Sequence, residues 1–138
     1  MPLSRRSAML ACLALTAAPA AFAQAPSNLS GHWRTDAIGA ARLPATPHPD
    51  ITFGAEGRAY GSSGCSRFMG GFTLDGAALR FDPIAGTRMA CEPPAMEVEQ
   101  RFLDALAAVR GWRLEGPALL LTDGTGATVL RLLRAEAG

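Results

Sequence analysis

Phe68-Met69-Gly70-Gly71-Phe72-Thr73-Leu74-Asp75-Gly76-Ala77-Ala78-Leu79-Arg80-Phe81 decides the fold. Residues 68–74 and 78–81 carry β-forming apolar side chains, and Asp75-Gly76 between them is a tight-turn pair. The stretch reads as an antiparallel hairpin. Working outward, the same pattern recurs. Ile51-Thr52-Phe53 and Arg58-Ala59-Tyr60-Gly61 flank a Gly54-to-Gly57 turn, and Leu119–Thr122 and Thr128–Leu133 flank Asp123-Gly124-Thr125-Gly126. Leu29–Arg34 has strand character around Trp33, and Trp112–Glu115 is a short strand ended by Gly116-Pro117. Asp36–Asp50, with Pro44, Pro47 and Pro49, reads as a loop. Repeated hairpins at short spacing predict a mainly β, antiparallel architecture.

One segment breaks the alternation. Val98, Phe102, Leu106 and Val109 fall at helical spacing, with Leu103 beside them, which predicts one amphipathic helix over Glu97–Arg110. Pro93-Pro94 mark its approach, and Glu97 and Glu99 sit early, where the helix dipole favours anions. Arg110 and Gly111 are the expected C-terminal end. The apolar face is expected to pack on the sheet or plug the mouth of a barrel.

The N-terminal residues carry an export pattern. Arg5 and Arg6 precede an uncharged apolar stretch from Ala8 to Ala18, and Ala21-Phe22-Ala23 offers small residues at a cleavage site. A bilayer span needs about 20 apolar residues, more than this stretch supplies. The predicted organisation is therefore a cleaved signal at 1–23, a flexible lead at 24–28, one domain at 29–134 and a tail at 135–138. Met9-Leu10-Ala11-Cys12 follows too short an apolar segment to serve as a lipoprotein box. Periplasmic localisation follows, with no transmembrane segment in the mature chain.

Charge narrows the partners. The full chain has 13 Lys+Arg, every one an arginine, against 12 Asp+Glu. Loss of Arg5 and Arg6 leaves a mature balance of about −1, without the basic footprint that nucleic acid requires. Candidate partners are an envelope protein or a small apolar ligand.

Cleavage also removes Cys12, leaving Cys65 and Cys91. In an oxidising compartment two thiols read first as one disulfide; a pair of buried thiols, or a redox or metal role, are the alternatives. Cys-x-x-Cys spacing is absent. His32, beside Trp33, reads as packing or surface, and His48, between Pro47 and Pro49, as exposed; neither has zinc-ligand spacing. No metal or cofactor is expected. Ser62, Ser63 and Ser66 lie among glycines without a nucleophile elbow, and Glu56, Asp75 and Asp82 read as turn carboxylates. No catalytic residue is assigned. Arg67 and Arg88 would be drawn together by a cysteine pair, giving a candidate anion or partner contact, weighed against ion pairs with Glu92, Asp82 or solvent.

Gly64-Cys65-Ser66-Arg67-Phe68 with Gly70 and Phe72, Thr87-Arg88-Met89-Ala90-Cys91, and Met96-Glu97 with Phe102 together resemble the META domain family, which includes bacterial heat-shock envelope proteins. The resemblance covers about Leu29 to Arg134. It implies a small antiparallel, barrel-like sheet with a single helix, and a role in envelope stress. Members commonly carry Asn after the first cysteine; here Ser66 stands there, and a different local turn is expected. Three functions compete: a non-catalytic envelope module acting through protein contacts, a lipocalin-like binder with a cavity behind its sheet, and an enzyme with an unconventional site.

Overall fold

A computed structural model of the chain describes residues 28–43, 47–87 and 89–135. The predicted signal (1–23), most of the lead, Arg88 and the last three residues of the tail lie outside these. The strands are β1 (Gly31–Ile38), β2 (Ala41–Arg42), β3 (Asp50–Phe53), β4 (Arg58–Ser62), β5 (Arg67–Asp75), β6 (Ala78–Phe81) and β7 (Ala85–Gly86). The one α-helix among the described residues, α1 (Pro93–Ala108), follows, and then β8 (Gly111–Glu115), β9 (Ala118–Thr122) and β10 (Thr128–Arg134).

All ten strands join one antiparallel sheet in the order β10-β9-β8-β6-β5-β4-β3-β1-β2, with β7 on β5. Pairing of β1 with β10 closes the path into a hydrogen-bonded, barrel-like ring. Its thinnest joint is β6 to β8, where Ala78 faces Gly111. Leu79 N–H to Arg110 O and Trp112 N–H to Ala77 O, both 3.0 Å, reinforce that joint.

Alternation along the strands sets the inside of the ring, because successive side chains point to opposite faces. Trp33, Ile51, Phe53, Ala59, Phe68, Phe72, Leu79, Phe81, Leu130 and Leu132 point inward and are buried. Phe53 meets Phe72 edge-to-face at 5.2 Å, and Phe81 lies 6.0 Å from Phe53. β9 departs from the rule, since all five of its residues are buried. Leu120, on the outer face, is flanked in register by Arg113 of β8 and Arg131 of β10. Aliphatic arginine stems can shield such a residue while their heads stay in water.

The helix supplies the rest of the core. Phe102, Ala105 and Leu106 are buried, as is Val109 just beyond the last turn, and α1 packs against β10, β1 and β6. Phe102 reaches the Phe68 ring at 5.6 Å. Each large side chain buried this way contributes about 1.5–3 kcal/mol relative to exposure.

Four details differ from the sequence reading. The helix begins one turn earlier than expected, with Pro93 and Pro94 inside it, so Glu97 and Glu99 lie past the first turn. Its end is not a glycine cap. Val109 turns extended (φ −63°, ψ 133°) and Gly111 already opens β8. Arg110 instead covers late carbonyls, its Nη1 donating to Ala107 O at 3.1 Å and to Val109 O at 2.6 Å. The Asp36–Asp50 segment is not all loop: β1 runs to Ile38 through a bulge at Asp36, whose carboxylate pairs with Arg131, and β2 folds back on β1. Finally, His48 is half-buried rather than exposed, its Nδ1 2.7 Å from Thr35 O.

Candidate functional site

The turn between β4 and β5, Ser63-Gly64-Cys65-Ser66, is where the quoted cysteine motif folds. Its own backbone contributes one bond, Ser63 N–H to Ser66 O at 2.8 Å. Gly64 takes φ +115°, a value that side chains resist, and sits flush on α1, where a Cβ would meet Val98 and the backbone of Glu99. The positive φ in this turn is supplied by Gly64, not by Ser66. Ser66 is buried and does a different task.

That task is to bind Glu99. The Glu99 carboxylate accepts from Ser63 Oγ and Ser66 N–H, each at 2.6 Å, and from Ser66 Oγ at 3.3 Å. Ser66 Oγ in turn accepts from Met89 N–H at 3.3 Å. Partial burial pushes the Glu99 carboxyl pKa up. Hydrogen bonds from the Ser63 hydroxyl, the Ser66 amide and hydroxyl and the Cys65 amide outweigh this and hold it below its ordinary value. An ionised Glu99 therefore pins the turn to the helix.

The cysteines add a second tie. Cys65 and Cys91 sit with their sulfurs at disulfide distance and their Cα atoms 6.0 Å apart, and both are half-buried. Cys65 Sγ also approaches Met89 O at 3.4 Å. Between them the segment after β6 is sewn to β5. Thr87 N–H donates to Arg67 O at 2.9 Å, and Thr87 Oγ1 accepts from Arg67 N–H at 3.1 Å. Gly70 permits this close approach, because a Cβ there would stand 2.9 Å from Ile84 Cδ1. The motif residues Gly64, Cys65, Phe68 and Gly70 thus face the Thr87, Met89, Ala90 and Cys91 segment across one clasp.

A cleft of about 730 Å³ opens beside the clasp, between α1 and the segment around β7. Phe68, Ile84, Met89, Met96 and Leu103 line its apolar part, and Ser63, Ser66 and Glu99 its polar end. Its size suits a drug-sized molecule. Phe81 lines the cleft as well, and both it and Phe68 belong to the packed core, so the cleft is an opening beside α1 rather than the cavity behind the sheet that a lipocalin-like reading expects. The ring interior holds the packed side chains described above.

Arg67 lines this cleft and is exposed. It makes no ion pair with Asp82 or Glu92 among the described residues, and Arg88 lies outside them. His32 Nε2 stands 3.4 Å from Asp50 Oδ1, and Asp50 also accepts from Ser62 N–H at 3.2 Å. No cluster of three metal-ligating His, Cys, Asp or Glu occurs among the described residues. Ser63 is buried and its hydroxyl is engaged by a carboxylate of lowered basicity, which suits anchoring rather than nucleophilic attack.

Glu99 is the site residue that the sequence reading missed. Its one signal is position: it is a carboxylate one turn before Phe102, beside the apolar stripe rather than opposite it.

A helix packed on a closed ring of antiparallel strands, with a turn tied to that helix by a carboxylate and to the segment before it by a cysteine pair, defines a small β domain of restricted type. The chain belongs to the META domain family, whose model matches residues 27–136. A protein from Burkholderia xenovorans, solved by NMR, is similar at 28% identity over 90% of this chain and 96% of its own, with a TM-score of 0.61. A second NMR structure matches at 22% identity, with a TM-score of 0.60 over 76% of this chain and 89% of its own. The crystal structure of a DUF4847 family protein from Bacteroides vulgatus matches at 18% identity, 81% and 97% coverage and a TM-score of 0.57. These last two speak to the fold alone. No curated protein matches the sequence significantly.

Proposed function

We propose that the chain is an exported, non-catalytic module of the cell envelope that acts under stress by contacting another protein. The clasp carries this reading. A half-buried cysteine pair at disulfide distance, holding a turn to the segment that leads into α1, is a device that persists in oxidising compartments and is rare elsewhere. Membership of a family without a catalytic hallmark, and a Ser63–Glu99 arrangement suited to anchoring, support a binding role over a reaction. Arg67, exposed at the cleft, and Arg88, which follows Thr87 in the sequence, are the proposed contact for an anionic group on the partner. The test is fractionation followed by affinity capture from the envelope. The reading expects a chain beginning near Gln24, two hydrogens lighter than its reduced mass, that recovers one partner reproducibly and loses it in the Arg67→Ala, Arg88→Ala double variant. A cytoplasmic chain with both thiols free would sink it.

A second reading is favoured by the cleft: binding of a small apolar or amphipathic molecule between α1 and the β7 segment. It expects a retained adduct in native but not denatured mass spectra. Saturating ligand would raise stability by RT ln(1 + [L]/Kd).

A further inference from the structure

Every methionine among the described residues stands outside the core. Met69, Met89 and Met96 are 54%, 52% and 41% exposed, while the buried set is built from Leu, Ile, Val, Phe, Ala and Trp. Methionine is ordinarily a core filler, so this segregation needs a reason. Position gives one. Met89, on the segment after β7, and Met96, on α1, line the cleft from its two sides, and Met69 lies on the outer face of β5 in register with Ala85 of β7.

Chemistry gives the second half. Thiols react with oxidants ahead of thioethers. With Cys65 joined to Cys91 and Cys12 removed with the signal, no thiol competes, which makes the methionines the most oxidisable side chains of the exported chain. We propose that Met69, Met89 and Met96 are oxidant-accepting modification sites, and that oxidation of Met89 and Met96 turns the apolar cleft polar while leaving the fold intact. With hydrogen peroxide, a sulfur lone pair bonds to one peroxide oxygen as the O–O bond breaks. The thioether is oxidised by two electrons to a sulfoxide, and the other oxygen, reduced, departs as water after proton transfer. Each sulfoxide places a hydrogen-bond acceptor where an apolar occupant would have to desolvate it. Phe68 and Leu103, which belong to or pack against the core, are unaffected, so the scaffold survives.

The absence of a competing thiol rests on the export reading. The intact mass of the purified protein, taken first, judges that reading separately. The protein is then treated with peroxide and mapped by peptide mass, and Nile red serves as the cleft probe before and after. The expected result is one added oxygen on each of the three methionines, a severalfold loss of dye binding, and a thermal midpoint that moves by less than about 4 °C. The Met89→Leu, Met96→Leu double variant keeps dye binding and loses its sensitivity to peroxide. A methionine that resists oxidation, a reduced protein that binds no dye, or a collapse of the midpoint on oxidation overturns the proposal. So does a double variant that still sheds dye under peroxide.

Discussion

Two turns of this molecule solve the same problem in opposite ways. The β9–β10 turn holds itself: Asp123 Oδ1 accepts from Thr125 N–H at 2.9 Å, Thr125 Oγ1 at 2.7 Å and Ala127 N–H at 3.0 Å, all within four residues. These bonds, led by the Thr125 hydroxyl, hold the Asp123 carboxyl below its ordinary pKa. The β4–β5 turn borrows its restraints from afar, from Glu99, more than thirty residues on, and from Cys91, 26 residues away. The first needs only its own sequence. The second has local bonds as well, Ser63 N–H and Ser63 Oγ to Ser66 O at 2.8 and 2.9 Å, but its Glu99 restraint forms only when α1 is docked.

If that contrast holds, the largest effect comes from undocking the helix. Phe102→Ala should cost about 3–5 kcal/mol in chemical denaturation. Amide exchange should speed up at Ser63–Ser66 well before it does at Thr125–Ala127. Equal loss of protection in both turns would erase the distinction. Next, replacing Cys65 and Cys91 together by Ala should lower stability by about 3.5 kcal/mol, the loop-closure contribution for a bridge of this span.

Glu99→Gln should cost less, about 1 kcal/mol, since the group is only partly buried and a neutral amide still accepts hydrogen bonds. Its signature is in pH. A folded-state pKa below the unfolded value of about 4.3 makes the Glu99 contribution complete above that value. As pH falls through the lower folded pKa the contribution is lost, so wild type and Glu99→Gln should converge in acid. A stability gap independent of pH would mean that the charge contributes nothing. Asp123→Ala should have the smallest effect, confined to faster exchange at Thr125 and Ala127, with unfolding otherwise that of wild type.

The same contrast explains what could be read from the sequence. The hairpins centred on Asp75-Gly76 and Asp123-Gly126 were legible because turn chemistry and alternation lie side by side, and the helix because its apolar stripe is periodic. β2 and β7 have two residues each, too few for any period. Gly116-Pro117 reads as a stop, yet in the fold it joins β8 to β9 as a two-residue turn, with Glu115 facing Ala118. β9 shows no alternation because both of its faces are covered. Glu99 was invisible as an anchor because its partners are fixed by tertiary docking, which no local window contains. The cleft was hidden for the same reason.

Closure of the ring has a consequence for how the chain is made. Trp33 pairs with Arg134, whose guanidinium lies 4.2 Å over the Trp33 ring and whose Nη2 donates to Asn28 O at 2.9 Å. The first strand therefore has no lasting neighbour on that side until the last one has emerged. A topology whose decisive contacts join opposite ends folds late and slowly. The local hairpins from β3 to β6 can form as they emerge, but the ring as a whole cannot close before β10 has been made.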